Sequence, residues 1–408
     1  MNNTQDRTTN YGYIIAASCF SIQAIGIGTY VAFGVFFSPL INEFGWPRAT
    51  IAGASSTAFL IMGFLGILVG RLNDRIGPRK MMTITALFFG LGHFLMSRVG
   101  AVWQLYLFYG VFVGIGLSSI DVIALTTTAR WFDKRRGLMT GIVKVGTGAG
   151  QLIFPLAASL LIAGFGWRVA YIVIGTAVAL MLVVIAQFLK RDPSQLGLPT
   201  APNDETKANV PFTGDIGLTL AEATRTRQFW TICATSLVII SCLMTVVVHI
   251  VTHAQDMAIS AAQAAGVLST VGGVSMGGRF LTGLSIDRIG SRKAMLLAML
   301  FLLAGLLWLQ VADRLWMLYI FSAIYGIAHG GFFTSISPMM AEFFGLKAHG
   351  ALFGVVAFCG TVGGALGPIV AGRIFDVSGG YGPAFWLCFA MGVVGFVLIY
   401  SLKPIMAK

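Results

Sequence analysis

Apolar runs long enough to cross a lipid bilayer recur along the whole chain, and this feature restricts the possible folds most. About twelve such runs, each of about 20 residues, alternate with short polar turns. Of the 408 residues, 57% are hydrophobic and only 10% are charged, which excludes a soluble globular protein. Because lipid offers no partner to backbone N–H and C=O groups, runs of this length fold as helices. The sequence therefore predicts an all-α integral membrane protein, with about twelve transmembrane helices embedded in a lipid bilayer.

One long polar stretch divides the predicted helices into two groups of six. The first six spans are expected near residues 11–37, 51–70, 81–96, 103–128, 138–165 and 169–189, and the last six are expected to begin near Phe229, Ala262, Lys293, Leu315, Ala351 and Pro383. The stretch between the groups is rich in Pro, Asp, Thr and Lys, which is typical of a linker. We predict an N-terminal six-helix bundle over 1–190, a cytoplasmic linker over 191–228 and a C-terminal six-helix bundle over 229–408.

The basic residues of the turns predict the orientation in the membrane. On one side the turns contain Arg71, Arg75, Arg79, Lys80, Arg130, Lys134, Arg135, Arg136, Arg288, Arg292, Lys293 and Lys347, whereas the other side has only scattered basic residues. Cytoplasmic turns are enriched in Lys and Arg, so we expect a multi-pass protein of the plasma membrane with both termini cytoplasmic. The net charge of +12 lies in these turns and forms no basic face with interleaved aromatics, so no nucleic-acid partner is expected.

An internal repeat relates the two halves of the chain. The first turn (70–80) reads G-R-L-N-D-R-I-G-P-R-K, and the second turn (283–293) reads G-L-S-I-D-R-I-G-S-R-K, without a gap between them. At the same offset Trp131 corresponds to Phe344, Gly137 to Gly350 and Pro155 to Pro368. Because the same offset applies at several separated positions, the repeat predicts two pseudo-symmetric six-helix bundles. The substrate site is then expected between them, near the middle of the membrane.

Arg279 lies inside the apolar, glycine-rich run that leads into the second turn. At the usual helical rise it is about 12 Å from Asp287, near the middle of a hydrocarbon layer about 30 Å thick. An arginine at this depth is costly, so it faces a cavity, a partner or a substrate. Its planar guanidinium suits bidentate binding of a carboxylate. The alternative is an arginine that forms a salt bridge within the bundle.

His249, His253 and Asp256 are spaced as one face of a helix at the outer end of the seventh span. Histidine titrates near neutral pH, and burial can raise the pKa of an aspartate toward that range, so His249 and Asp256 are candidates for carrying a proton. The alternative for Asp256 is a solvated residue of the outer turn, and His253 is expected to face water. A metal site is weakly indicated, because two histidines one helical turn apart are poor evidence for zinc.

Polar side chains on other spans supply further candidates. Asp121 and Lys144 both lie about 12–14 Å from the cytoplasmic turns and would pair across two helices. They are interpreted either as a structural ion pair or as a carrier pair. In a carrier pair, protonation of Asp121 would release Lys144, which would then bind the substrate anion. Gln23, Gln151 and His329 would hydrogen bond either to a substrate hydroxyl or to a neighbouring helix.

The two turns resemble the motif of the major facilitator superfamily, G-x-x-x-D-R-x-G-x-R-R/K. The matching residues are Gly70, Asp74, Arg75, Gly77, Arg79 and Lys80, and the pattern recurs from Gly283 to Lys293. In that family the motif belongs to a cytoplasmic gate. The resemblance implies four gate residues: Asp74, Arg75, Asp287 and Arg288. A carboxylate there can accept hydrogen bonds from helix N-termini and arginines, and can release them when the halves rock.

Within this superfamily the chain looks like the branch of monocarboxylate transporters and oxalate/formate antiporters. The motifs are Y-V-A-F-G-V-F-F (30–37), R-W-F-D-K-R-R-G (130–137), G-W-R (166–168) and R-T-R-Q-F-W (225–230). In that branch an arginine of the eighth span binds the substrate carboxylate, and Arg279 matches it.

The chain departs from that branch at three places. Val31 stands where animal monocarboxylate transporters have a lysine, and Ser275 stands where they have an aspartate four residues before the arginine. Phe358 and Cys359 stand where oxalate antiporters have a lysine. A single arginine without that second cation favours a monoanion, by charge balance in a low-dielectric cavity.

Taken together, the residues and the resemblance predict proton-coupled symport of a small monocarboxylate, such as L-lactate or pyruvate. The expected substrate-binding residues are Arg279, Phe358, Cys359, Ser275 and Gln23, and the expected proton-coupling residues are Asp256, His249, Asp121 and Lys144. Alternatives are an oxalate/formate type of anion exchanger, or drug or sugar transport.

No enzyme, metal or cofactor is predicted. The spans contain no nucleophile–base set, and the glycine rows at 146–150 and 360–368 lack the G-K-S/T of an ATP-binding loop. A receptor without transport would need a soluble domain, for which the linker is too short.

Overall fold

The computed structural model describes residues 2–133, 135–196 and 217–402. Within these ranges the chain forms helices and turns, with one isolated antiparallel bridge between Gly217 and Gly345. Met1, Lys134, most of the predicted linker and the last six residues lie outside the described part. The predicted linker and the position of the termini therefore stay predictions.

Six long helices precede the linker. Helix α1 begins as Asn2–Ala32 and continues through a 3-10 segment, Phe33–Phe36, into Phe37–Phe44. It is followed by α2 (Arg48–Ile76), α3 (Pro78–Met96) and α4 (Val102–Trp131), which contains a π-helical segment at Tyr106–Val113. One continuous stretch, Arg136–Phe188, contains α5 (136–165) and α6 (167–188), which meet at Gly166. Gly166 has φ of 80° and ψ of 161°, a conformation that only glycine adopts readily.

Six more long helices follow. They are α7 (Arg227–Asp256), α8 (Ala261–Ile289), α9 (Ser291–Leu309), α10 (Leu315–Phe344), α11 (His349–Ser378) and α12 (Gly382–Tyr400). Each begins within about two residues of the position predicted from the apolar runs. The largest difference is in α1, which begins at Asn2, nine residues before the predicted span, and reaches Phe44 because the 3-10 segment continues into further helix.

The all-α fold with about twelve long helices is confirmed. In the described ranges nine helices are apolar enough to cross a bilayer, and one of these is the merged stretch Arg136–Phe188. Helices α3 and α8 have the required length but are more polar: α3 opens with Arg79 and Lys80, and α8 contains Arg279. Large apolar side chains such as Leu160 and Ile369 are exposed on the helices, as a lipid-facing surface requires.

The chain forms two compact units. The first contains Met1–Asp133, Gly146–Leu220 and Phe344–Gly354, and the second contains Lys134–Val145, Ala221–Phe343 and Val355–Lys408. Glycines permit close helix contact in each. A Cβ at Gly150 of α5 would overlap the carbonyl of Ala24 in the first unit, and a Cβ at Gly363 of α11 would overlap that of Leu237 in the second. Such contacts are how helices associate in lipid, where apolar burial gives no driving force.

Candidate substrate, proton and gate sites

In the first turn, Asp74 caps the start of α11. Its carboxylate accepts hydrogen bonds from the backbone N–H groups of Gly350 and Ala351, at 3.3 and 3.1 Å. Arg130, at the end of α4, forms an ion pair with the same carboxylate at 2.9 Å and also donates to the carbonyl of Leu346 at 3.2 Å. The side chains of Arg130 and Asp74 are only 4% and 12% exposed, so this is a largely buried pair. All of these residues belong to the first unit.

The second turn repeats this arrangement in the second unit. The Asp287 carboxylate accepts from the backbone N–H groups of Gly137 and Leu138, at 2.7 and 2.9 Å, and so caps the start of α5. Gly137 and Leu138 correspond by the repeat to the residues that Asp74 caps. Backbone N–H groups and the positive end of the helix dipole both favour a carboxylate here. The other two predicted gate residues, Arg75 and Arg288, are exposed.

Arg279 is buried in the second unit, with only 3% of its surface exposed. The helix around it is held by glycines of α10. A Cβ at Gly330 would overlap the carbonyl of Ser275 and would lie 2.8 Å from the backbone nitrogen and 3.1 Å from Cγ of Arg279. A Cβ at Gly141 of α5 would lie 2.6 Å from the Arg279 carbonyl. Close backbone packing therefore fixes the position of α8 at Arg279 and of the first part of its side chain.

One histidine of the second unit lies near both Arg279 and Lys144. His329, on α10, is within electrostatic range of both Arg279 and Lys144. Lys144 is buried, with 5% of its surface exposed. The sequence assigned Lys144 to a pair with Asp121, and that pairing stays a prediction because the two residues belong to different units.

The other predicted substrate residues of the second unit lie on α8 and α11. Ser275 is buried, and its hydroxyl donates to the Gly272 carbonyl of its own helix at 2.8 Å. Phe358 and Cys359 are half-buried on α11, and the Cys359 thiol lies within hydrogen-bonding range of Cys233 on α7. Their role toward a substrate stays a prediction.

Gln23 lies in the first unit and is fully buried. Its amide nitrogen donates to the Asp121 carboxylate at 2.7 Å, and its amide oxygen accepts from the Thr147 hydroxyl at 2.9 Å. These bonds connect α1 with α4 and α5, so Gln23 and Asp121 act at least as polar contacts between helices.

His249 is connected to two other helices at the far end of α7. One ring nitrogen, Nε2, is 2.9 Å from the Pro368 carbonyl of α11, and the other, Nδ1, is 3.1 Å from the Tyr381 hydroxyl beside α12. A carbonyl only accepts, so Nε2 carries a hydrogen. The Tyr381 hydroxyl is also 3.2 Å from Oγ1 of Thr252, which in turn donates to the His249 carbonyl at 2.9 Å. The result is a closed chain of hydrogen bonds.

The predicted helical face of His249, His253 and Asp256 is present, because α7 stays helical to Asp256. Asp256 is exposed, whereas the His253 ring packs edge-on against Phe385 with centroids 5.2 Å apart. His253 is therefore partly covered by aromatic rings, where the sequence predicted that it faces water. In the described part of the chain, no three His, Cys, Asp or Glu side chains converge to hold a metal.

Sequence reasoning missed Arg130 as the ion partner of Asp74, and missed Tyr381 and Thr252 as partners of His249. Arg130 carried a signal, because it opens the basic turn after α4. Tyr381 carried none, since it is 132 residues from His249 and nothing local shows that α7 packs beside α12.

The fold and both repeated turns define a transporter of the membrane-embedded, two-bundle type. The chain belongs to the Major Facilitator Superfamily, whose family model matches residues 17–307 and 278–407. It is thus a multi-pass membrane transporter and not an enzyme.

The chain is similar to individual transporters over nearly its full length. The chain is 25% identical to monocarboxylate transporter 13 of Rattus norvegicus, over 98% of this chain and 91% of that protein. It is 26% identical to human monocarboxylate transporter 11, over 96% and 83%. Among solved structures, the proton:xylose symporter XylE matches with a TM-score of 0.76 at 14% identity, over 97% of each chain. At that identity the structural match shows the fold alone.

Proposed function

We propose that this transporter carries a small monocarboxylate, such as L-lactate or pyruvate, together with a proton by alternating access across the plasma membrane. One observation supports this most: Arg279 is only 3% exposed inside the long helix α8, ten residues before its end. Maintaining a guanidinium there is costly unless it serves an anion or a partner. Because the chain is similar to proteins named monocarboxylate transporters, we infer that this anion is a carboxylate.

The remaining substrate contacts follow from the proposed anchor. Arg279 would neutralise the carboxylate with two parallel hydrogen bonds. The half-buried Phe358 and Cys359 would contact the short carbon chain, and Ser275 would contact the substrate beside the anchor. Gln23 stays a predicted substrate residue of the first unit.

His249 is the best-supported proton carrier. When the ring is neutral, the Tyr381 hydroxyl donates to Nδ1 and Nε2–H donates to Pro368. When the ring is protonated, Nδ1–H donates to Tyr381, Tyr381 donates to Thr252, and Thr252 donates to the His249 carbonyl. Both states keep every ring hydrogen bond, and they differ by the proton on Nδ1 and by the direction in which the Tyr381 hydroxyl points. Asp256, exposed one helical turn beyond His253, would pass protons to the outside.

The two capped helix starts would be the cytoplasmic gate. Asp74 and Asp287 each accept from two backbone N–H groups, and these bonds would break when the transporter opens to the cytoplasm. Because the proton and the anion carry opposite charges, binding of both would leave the net charge of the site unchanged, which favours the change of conformation. With both termini cytoplasmic, the basic turns lie on the gate side.

The first test is uptake of labelled L-lactate into proteoliposomes, with and without an inward proton gradient. We expect accumulation that requires the gradient. Arg279→Ala should reduce uptake at low lactate concentration by roughly 100-fold, because two charge-assisted hydrogen bonds are lost. Arg279→Lys should recover only part, since an ammonium cannot form the bidentate pair.

Arg373→Ala is the matched control, since it removes an exposed arginine from α11 and should leave uptake unchanged. Uptake by correctly inserted Arg279→Ala protein at the wild-type rate would exclude Arg279 as the anchor. An absence of gradient-driven L-lactate or pyruvate uptake by the wild type would exclude the proposed transport.

Anion exchange of the oxalate/formate type is the second candidate, and one observation favours it. Lys144 is buried within electrostatic range of His329, as Arg279 is, so the second unit contains a second cation that would suit a dianion. The same vesicles separate the two mechanisms. An exchanger takes up label only when the vesicles are preloaded with anion, whereas a symporter fills empty vesicles.

A further inference from the structure

We propose that His329 makes the transporter select 2-hydroxy and 2-oxo monocarboxylates over unsubstituted ones, by hydrogen bonding to the oxygen substituent next to the carboxylate. The inference rests on the monocarboxylate transport proposed above. It assigns substrate specificity to a residue that belongs neither to the two turns nor to the proposed carboxylate anchor.

His329 lies where α10 comes closest to Arg279. His329 directly precedes Gly330 on α10, and Gly330 is where α10 contacts Arg279 most closely. A Cβ at Gly330 would lie 3.1 Å from Cγ of Arg279, so the stem of the arginine passes against this point of α10. A carboxylate bound to Arg279 therefore brings its α-carbon substituent close to the same turn of α10.

The His329 ring is held between two aromatic rings of its own helix. The His329 ring packs edge-on against Phe333, with centroids 5.1 Å apart, and lies 6.1 Å from the ring of Tyr325. The Tyr325 hydroxyl donates to the Leu243 carbonyl at 2.6 Å, which fixes that ring as a wall. Aromatic neighbours on both sides hold the imidazole in one orientation without using its nitrogen atoms.

One ring nitrogen of His329 lacks a hydrogen-bond partner among the described residues. Within the described chain, Nδ1 of His329 is buried and has no hydrogen-bond partner. Buried polar atoms in folded proteins are nearly always paired, and this unpaired one lies near Arg279, where a bound anion would supply its partner. The nearby charges of Arg279 and Lys144 draw an anion to this nitrogen, not a cation.

The chemistry of imidazole fits the substituents. A neutral ring offers one donor and one acceptor, and its tautomer decides which nitrogen has which role. A 2-hydroxyl group can donate or accept, and a 2-oxo group can accept, so L-lactate and pyruvate both find a partner. Propionate has only hydrogen atoms at this carbon and leaves the ring nitrogen unsatisfied, so it lacks the one hydrogen bond that the other two acids gain.

The test compares uptake of L-lactate, pyruvate and propionate by full-length protein in proteoliposomes, as ratios of the initial rate at low concentration. The wild type should prefer L-lactate and pyruvate to propionate. His329→Leu should lower both ratios by about three- to tenfold, the effect of one hydrogen bond, with propionate uptake nearly unchanged. His329→Gln keeps a donor and an acceptor and should retain part of the preference.

His93→Leu is the matched control. His93 lies in the first unit, is 2% exposed, and also has a buried nitrogen, Nε2, without a hydrogen-bond partner in the described chain. This variant should leave the substrate ratios unchanged, whatever its effect on yield. Uptake of all three acids by the wild type with equal ratios in wild type and His329→Leu would overturn the role of His329. Uptake of none of them by the wild type would instead refute the proposed function itself.

Discussion

The first and second turns place an aspartate at the start of a helix in the same way, yet they differ in the charge around it. Asp74 accepts from two backbone N–H groups and from the guanidinium of Arg130, at 2.9 Å. Asp287 accepts from the two corresponding N–H groups. At the position that corresponds to Arg130, α10 has Phe343, so the second turn lacks this arginine.

The difference shows which part of the motif the repeat requires. Helix capping needs only a carboxylate at a set distance from a helix start, and both turns provide it. The ion pair is an addition to the first turn, where it is largely buried and therefore weakly screened by solvent. If both caps open in the proposed transport cycle, the first should resist opening more strongly than the second.

The largest effect is expected from breaking the buried ion pair. Arg130→Met keeps much of the side-chain volume but leaves the Asp74 carboxylate buried without its cation. We expect a loss of about 3 kcal/mol in the free energy of unfolding, the usual result of removing one partner of a buried pair. Denaturant titration in mixed micelles measures this free energy.

Arg75→Met is the control for that measurement, since Arg75 is the exposed neighbour of Asp74. It should change the free energy of unfolding by less than about 0.5 kcal/mol. A loss of similar size in the two variants would show that the buried ion pair does not distinguish the first turn.

The second-largest effect on the free energy of unfolding is expected from the glycine with positive φ in each turn, and it should be equal in the two turns. Gly77 has φ of 86° and ψ of 163°, and Gly290 has φ of 84° and ψ of 158°. Because this region is open almost only to glycine, Gly77→Ala and Gly290→Ala should each cost about 2 kcal/mol. Gly164→Ala serves as the control, since Gly164 is helical with open space around its Cβ position. A cost in only one turn would mean that the backbones of the two turns are not equivalent.

Most of this comparison could be predicted from the sequence. The apolar runs located all twelve long helices, because a bilayer imposes length and hydropathy on every span. The repeat register predicted that the first and second turns have equivalent backbones. Capping by Asp74 followed from general physics, since a carboxylate suits a helix N-terminus.

Contacts between distant helices could not be predicted in this way. His249 and Tyr381 meet because α7 packs beside α12, and local periodicity says only which face of α7 is apolar. The position of His329 beside Arg279 depends on the contact of Gly330 with α8, which a glycine in one sequence does not reveal. The 3-10 segment that lengthens α1 lacks a sequence signal, because Phe33–Phe36 is as apolar as its surroundings.

The smallest effect tests whether the second turn acts by capping alone. Asp287 is exposed, and its two bonds to Gly137 and Leu138 replace bonds to water. Asp287→Ala should therefore cost only about 1 kcal/mol, the usual loss for an N-cap residue. Asp287→Asn keeps an acceptor at this position and should cost no more than a few tenths of a kcal/mol. The same denaturant titration resolves the order of the two variants. An Asn variant as unstable as the Ala variant would mean that the charge of Asp287, and not its capping geometry, stabilises the second turn, so that the two turns would depend on charge alike.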